Sequence, residues 1–369
     1  MTTPAMKIPY TAFDRLHASI RNEMVKAFEK VLDSGRYIQG PECAAFEREF
    51  AEYCGAPFAT GIANGTCSLH LTLRAIGIGP GDEVITTPNS FIASASTIAL
   101  AGARPVFVDV RSDLNIDPNQ IEQAITPRTK AIVPVHLTGR PARMHEINDI
   151  AKRHKLFVLE DAAQSVGASL EGKRVGAWGD AASFSLHPLK NLHAIGDAGI
   201  MTAQDPDLLK QLSISKNHGL SSRDRCEFWS FNCRLDEIQA ALLRIQLLEL
   251  DKWNSERRRL AFRYNSLLEA FVDVPKEGRD EHHVYQTYVV QADRRDGLQT
   301  FLRAQGVEAL VHYPTPIHLQ PAAKGLGYSA RDFPETMKLS GRILSLPLYP
   351  GMTDEQQVYV ADMFARFYS

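Results

Sequence analysis

The feature that most restricts this chain is a repeated change of period between Ala44 and Asp161. Stretches with apolar residues at helical spacing, AFEREFAEY, TCSLHLTLRAIG, SFIASASTIALAG and ARMHEINDIAKRH, alternate with short β-rich runs, EVITT, RPVFVDV, KAIVPVH and LFVLED. Runs that are apolar almost throughout suit strands covered on both faces, and strands separated by helices pair in parallel. The pattern predicts an α/β fold with a mostly parallel sheet between helices. Two more runs, ASFSL and GIMTA, complete a sheet of about seven strands.

A chain of 369 residues exceeds what one hydrophobic core usually organises. The stretch LDEIQAALLRIQLLELDKWNSERRRLAFRYNSLLEAF reads as one long amphipathic helix, and the domain boundary falls inside it. The expected division is a large domain over residues 1–250, N-terminal segment included, and a smaller C-terminal α/β domain over 251–369. VYQTYVVQA, DGLQTFLRAQG, ALVHYP and the helix DEQQVYVADMFARFY build the second.

Several function classes drop out early. The 41 basic and 43 acidic residues leave a net charge of -2, which gives no field to attract nucleic acid or an anionic membrane. No stretch has the apolar run of roughly 20 residues that a bilayer requires, and the N-terminus lacks an apolar signal core. A cytoplasmic protein is expected. Five cysteines without paired spacing and twelve histidines without a ligand pattern predict neither a disulfide framework nor a metal site. GIGPGDEV has Asp82 where a dinucleotide fingerprint needs its third glycine, and GASLEGKR has Arg174 where a P-loop needs Ser or Thr. Both read as turns.

One lysine stands out in SFSLHPLKNLHAIGDAGI, where Lys190 lies among apolar and small residues ahead of a glycine-containing loop. Taken alone it is equally a surface lysine. A lysine-tethered aldehyde cofactor would need three things of an α/β scaffold: an amine, an acid for its pyridine nitrogen, and amides with hydroxyls for its phosphate. Asp161 ends the run LFVLED at the carboxyl end of a parallel strand, where ligands sit in open α/β sheets, although a strand-end aspartate also caps turns. Gln164 lies three residues on, within reach of a ring oxygen. Gly65 and Thr66 of NGT open a helix whose amides favour a phosphate, with an ordinary N-cap at Thr66 as the other reading. Ser185 adds a hydroxyl, and Phe91 is either a ring cover or core.

The order of these motifs resembles the DegT/DnrJ/EryC1/StrS family of pyridoxal-phosphate-dependent sugar aminotransferases. The resemblance runs through SGRYIQGPE, ANGTCSLHLTL, GIGPGDEVITTPNSFIASA, GARPVFVDV, ITPRTKAIVPVHLTG, LEDAAQSVGA, FSLHPLKNLHAIGDAG, FNCRLDEIQAAL and VHYPTPIHLQP. It implies a fold-type-I transferase using pyridoxal 5'-phosphate, with pyridoxamine 5'-phosphate as the intermediate form. Lys190 would be the Schiff-base lysine and proton carrier. Asp161 would pair with the ring nitrogen and Gln164 with the phenolic oxygen. Gly65, Thr66 and Ser185 would hold the phosphate, with Phe91 stacked on the ring. Asn232 would reach the phosphate bound to the other subunit, so a homodimer with shared sites is implied.

Lys190 also implies transamination, because related sugar 3-dehydratases carry histidine there. KNLHAIGD and HYPTPIHLQ resemble members that aminate carbon 3 of a nucleotide-linked ketosugar, with L-glutamate as donor; His312, Tyr313 and His318 then face the sugar or pyrophosphate, or else are packed residues of the small domain. Amination at carbon 4, or of a cyclitol-like ketone, is the alternative, and a non-catalytic regulatory protein that binds the cofactor is a third reading. Ala198, His193, Trp229 and Ser230 depart from the family's pattern and bear on the substrate. Arg36, Arg223 and Arg234 are candidate clamps for glutamate, or surface and interface ion pairs.

Overall fold

In the computed structural model, which describes residues 6–369, seven strands form the central sheet. They are β1 (Phe58–Ile62), β2 (Glu83–Thr86), β3 (Arg104–Phe107), β4 (Thr129–Ile132), β5 (Phe157–Asp161), β6 (Ala181–Ser185) and β7 (Gly199–Ala203). The spatial order is β1-β7-β6-β5-β4-β2-β3. From β3 to β6 all neighbours are parallel, while β7 runs antiparallel to both β1 and β6. The mostly parallel seven-stranded sheet expected from the alternating periods is thus present. Its interior strands are buried along almost their whole length, which is why EVIT and FVLED read as continuous apolar runs broken only at their ends.

GIGPGDEV forms the expected turn, and GASLEGKR forms a hairpin. Glu171 and Gly172, both at positive φ, turn a short hairpin pairing Ser169–Leu170 with Lys173–Arg174, so GASLEGKR builds no phosphate loop. In GIGPGDEV the Gly79 amide donates to the Asp82 carboxylate, closing a turn ahead of β2.

The long helix spans Glu237–Leu268. Its first half covers the sheet core through Ala240, Leu243, Leu247 and Leu250. Its second half belongs to another core, where Leu260 and Tyr264 pack with Tyr288, Val290, Leu344 and Phe364. A two-stranded antiparallel pair, β8 (Tyr288–Gln291) and β9 (Ile343–Leu346), lies in this second core. ALVHYP contributes only a bridge from Leu310 to Ser345. Ile8 and Ala12 also join the C-terminal core, with the Ile8 amide donating to Gly306 O at 2.9 Å, although the expected division counts that segment with the large domain. The N-terminal segment therefore straps the second core, and its next residues cross toward the ends of β6 and β7.

Candidate active site

The site forms where the carboxyl ends of β5 and β6 meet the start of the helix Gly65–Ala75. β5 and β6 pair Asp161 with Ser183, and the Ser183 hydroxyl donates to Gly65 O at 3.2 Å. The helix N-cap is Asn64, whose side chain accepts from the Cys67 amide at 2.8 Å, so Thr66 is not the cap. With Asn64 also accepting from Ser68, the amides of Gly65 and Thr66 are the unpaired donors that every helix start presents. Gly65 is needed for the approach: a Cβ there would stand 2.9 Å from Ser185 Cβ. The helix start is therefore pressed against the strand end that carries the Ser185 hydroxyl.

Lys190 sits in the loop between β6 and β7, and the loop is held on each side of it. The Asn191 amide group donates to Asn254 Oδ1 at 2.7 Å, Gln246 donates to His193 O at 2.7 Å, and the His193 ring meets Lys190 O at 3.1 Å. These anchors fix the backbone and leave the amine uncommitted. Burial pushes the Lys190 amine down to about 8, against an opposing pull from the Asp161 charge. The side chain as a whole keeps some solvent contact, so the lowering reflects the walls around the amine rather than complete enclosure.

Asp161 is buried, and burial raises its pKa, with hydrogen bonds from Ser94 and from the Ala163 amide acting in the other direction. Ser94 Oγ donates to Asp161 Oδ2 at 2.7 Å and is itself bonded to Ser90. Gln164 accepts from the Thr138 amide at 2.7 Å, and its Nε2 reaches the Tyr313 hydroxyl at 3.3 Å. The Phe91 ring lies 5.7 Å from that of Tyr313 and remains half-exposed. The structure thus brings Lys190, Asp161, Gln164, Phe91 and Tyr313 together, with Gly65, Thr66 and Ser185 at the adjoining helix start.

His312 belongs to the same neighbourhood, since its pKa is lowered to about 4 by burial first and the Lys190 charge second; its Nδ1 pairs with Ser345 Oγ at 2.9 Å. His318 is placed differently. The turn Ile317–Leu319, tied by the Ile317 amide to Pro88 O, directs it inward against Phe333, where its ring is 2% exposed and 4.8 Å away. Asn232 is exposed on a segment bridged to Asn217, next to Phe231 and the nearly bare Trp229. Arg36 and Arg223 are exposed, and Arg234 donates to Asn217. Sequence reading missed Ser94 and the anchoring residues Asn191 and Gln246. The Ser90–Ser94 spacing in NSFIASAS was the available signal for the first.

Comparison with known proteins matches the DegT/DnrJ/EryC1/StrS aminotransferase family over residues 18–365. The chain belongs to that family. A relative described as a pleiotropic regulatory protein of Geobacillus stearothermophilus is 43% identical over 368 residues, covering 98% of this chain and 99% of its own. The dTDP-3-amino-3,4,6-trideoxy-alpha-D-glucose transaminase of Streptomyces venezuelae is 41% identical, covering 96% of this chain and 95% of its own. A solved S. venezuelae structure, DesV in complex with a ketimine intermediate, superposes with a TM-score of 0.95 at 41% identity, covering 99% of each chain. The family resemblance and the fold-type-I architecture are borne out.

The family's cofactor is pyridoxal phosphate, with the pyridoxamine form as intermediate. The residues present fit it: a side-chain-free cradle at Gly65 with a hydroxyl beside it, a buried carboxylate with unused capacity, and an uncommitted, desolvated amine. Among the described residues no cluster of His, Cys, Asp and Glu suits a metal ion, and no helix is long and apolar enough to cross a membrane.

Proposed function

We propose that this chain is an aminotransferase that moves the amino group of L-glutamate to carbon 3 of a nucleotide-linked ketosugar. The observation that carries this reading is an uncommitted Lys190 amine close enough to the buried Asp161 carboxylate to feel its charge, at the carboxyl edge of the sheet. The activity named for the S. venezuelae transaminase supports the substrate class. Bound pyridoxal phosphate would supply an electron sink for breaking the donor's Cα–H bond. Gly65, Thr66 and Ser185 would hold its phosphate, Asp161 its ring nitrogen, Gln164 its phenolic oxygen, and Phe91 with Tyr313 would wall its ring.

The chain's own part is proton handling. An amine lowered to about 8 is close enough to neutral pH to exist in both forms, so Lys190 Nζ takes the proton from the donor's Cα and returns one to the sugar carbon that gains the amine. Asp161, kept in a dry setting, is worth more to a cation than it would be in water. His312, neutral throughout the physiological range, offers a hydrogen bond without repelling the Lys190 cation.

The active unit in this reading is a homodimer in which Asn232 reaches the partner's phosphate site. The exposed run Phe228, Trp229 and Phe231 beside Asn232 supports such burial in an assembly. Five free cysteines favour the reducing cytoplasm, and the division into two domains is drawn inside the helix Glu237–Leu268 from its two cores.

The test is the visible absorption spectrum of purified protein with pyridoxal phosphate, before and after L-glutamate. A yellow band bleached by glutamate, and restored by a 3-keto nucleotide sugar, is the expected result. A band that no amino donor discharges would instead favour the regulatory role that the Geobacillus relative's description suggests.

A further inference from the structure

Three consecutive arginines on the long helix have different fates. Arg258 is paired with Glu277, and Arg259 with Glu256 at 2.8 Å. Arg257 has no carboxylate partner among the described residues; the bond it makes is from Nη1 to Leu348 O, at 2.8 Å. It is partly buried, and burial pushes its guanidinium down to about 10, opposed by Tyr10. A partly desolvated cation without a counterion costs free energy that an arriving anion would relieve.

Its position says where that anion comes from. Arg257 lines one cavity with Lys190, His193, Tyr10, Gln286 and Phe13. No Asp or Glu lines this cavity among the described residues. The histidine adds no negative charge either: its Nδ1 faces Lys190 O and its Nε2 meets His17 Nε2 at 2.9 Å. The cavity that adjoins Lys190 on the N-terminal side therefore carries two cations and, among the described residues, no acid.

We propose that Arg257 is the positioning residue that holds a carboxylate of the amino donor while Lys190 works on its Cα. This deepens the aminotransferase reading and rests on it. Guanidinium and carboxylate match as a two-pronged pair, and Arg257 retains donors beyond the one given to Leu348. The diphosphate of a nucleotide sugar is the other anion the reaction brings. The cavity's volume is about 30 Å³, or two to three water sites at ~10–15 Å³ each. That is room for a carboxylate group, whereas a diphosphate flanked by two sugars needs an open groove.

The test uses the cofactor-loaded enzyme, Arg257→Gln and Arg257→Lys, with three readouts: calorimetric binding of glutarate, which cannot react; the glutamate-driven bleaching in a single turnover; and the KM for the nucleotide ketosugar. A hydrogen-bonded charge pair is worth about 1.5–3 kcal/mol, so Arg257→Gln should weaken glutarate binding and glutamate saturation by ~10- to 150-fold. Arg257→Lys should recover part of that loss, and the ketosugar KM should stay within about twofold, as a purely structural strut would not arrange. Unchanged glutarate binding in Arg257→Gln overturns the proposal. So does a loss confined to the ketosugar, which would assign the diphosphate instead. If Arg257→Gln does not retain cofactor, Arg257→Lys decides: wild-type glutarate affinity overturns the proposal, and a loss of about tenfold upholds it. A wild-type protein that binds glutarate but is not bleached by glutamate breaks the transaminase reading alone.

Discussion

Glu160 and Asp161 are neighbours on β5, both carboxylates are buried, and their surroundings are opposite in kind. Glu160 faces a closed network: it accepts from the amides of Gly176, Trp178 and Gly179 at 3.0, 2.9 and 2.8 Å, and from His136 Nε2 at 3.0 Å. His136 Nδ1 accepts the Ala142 amide, so its Nε2 must be the nitrogen that carries the proton. Among the described residues Asp161, on the other face of the pleat, receives only Ser94 and a long bond from Ala163 at 3.3 Å. The first acid is satisfied by its own chain and pins the loop after β5. The second keeps bonding capacity in reserve at a strand end, beside an amine in the same condition. Burial marks a structural acid and a functional one equally; unused bonding capacity separates them.

The largest effect should come from the amine itself. Lys190→Ala should retain bound cofactor but lose turnover by at least the ~10²–10⁴ that positioned proton transfer contributes, measured as glutamate-driven bleaching; near-normal bleaching would remove Lys190 from the mechanism. Asp161→Asn should follow, losing roughly 10²–10³ in turnover, the scale of one preorganised electrostatic contact. Its cofactor-free unfolding midpoint should stay level or rise, because an ionised Asp161 is disfavoured by burial there. Glu160→Gln should reverse the pattern. Four donors face that carboxylate, and a carboxamide leaves at least one without an acceptor, costing about 1–3 kcal/mol of stability by denaturant unfolding. The remaining folded enzyme should turn over normally. Equal activity losses in the two acid variants would erase the distinction drawn between them.

Much of this frame was legible in the sequence, for reasons particular residues make clear. Alternating periods gave the sheet because EVIT and FVLED are buried on both faces and have to be apolar. Asp161 was legible because it ends such a run, and Lys190 because a lone amine among apolar residues needs a reason. What could not be read was which face each side chain takes and who arrives from afar. Glu160 looks like part of the same acidic ending as Asp161, yet its amide partners come from Gly176, Trp178 and Gly179, well downstream of β5. Arg257 is one of three identical letters, and only the helix phase and the strap from Tyr10 to Phe13 set it apart. His318 sits in a Pro-rich stretch without periodicity, so nothing in the letters showed that it turns toward Phe333. β9 was hidden for the same reason, its ILSL merging into the prolines that follow.

The smallest expected effect is a pH dependence that ties the comparison to stability. In the cofactor-free protein Lys190 is lowered to about 8, while a lysine in the unfolded chain titrates near ~10.4. Between those values the unfolded chain binds more protons than the folded one, so stability rises with pH across the window. Below it both states are protonated, and the charged amine is a constant cost. Asp161 works in the opposite sense: its raised pKa makes stability fall as pH climbs from the unfolded carboxylate value through the folded one. Around neutrality both groups of the site therefore cost stability, and an occupant that pairs with them relieves it. The Lys190 contribution should stay below about 3 kcal/mol, at ~1.4 kcal/mol per pKa unit and with partial solvent contact reducing it. Thermal unfolding of cofactor-free protein from pH 7.5 to 10.5 should show the rise in wild type and lose it in Lys190→Met. A rise of the same size in both would mean that the amine is solvated as an ordinary surface lysine, and the reserve attributed to this side of β5 would then rest on Asp161 alone.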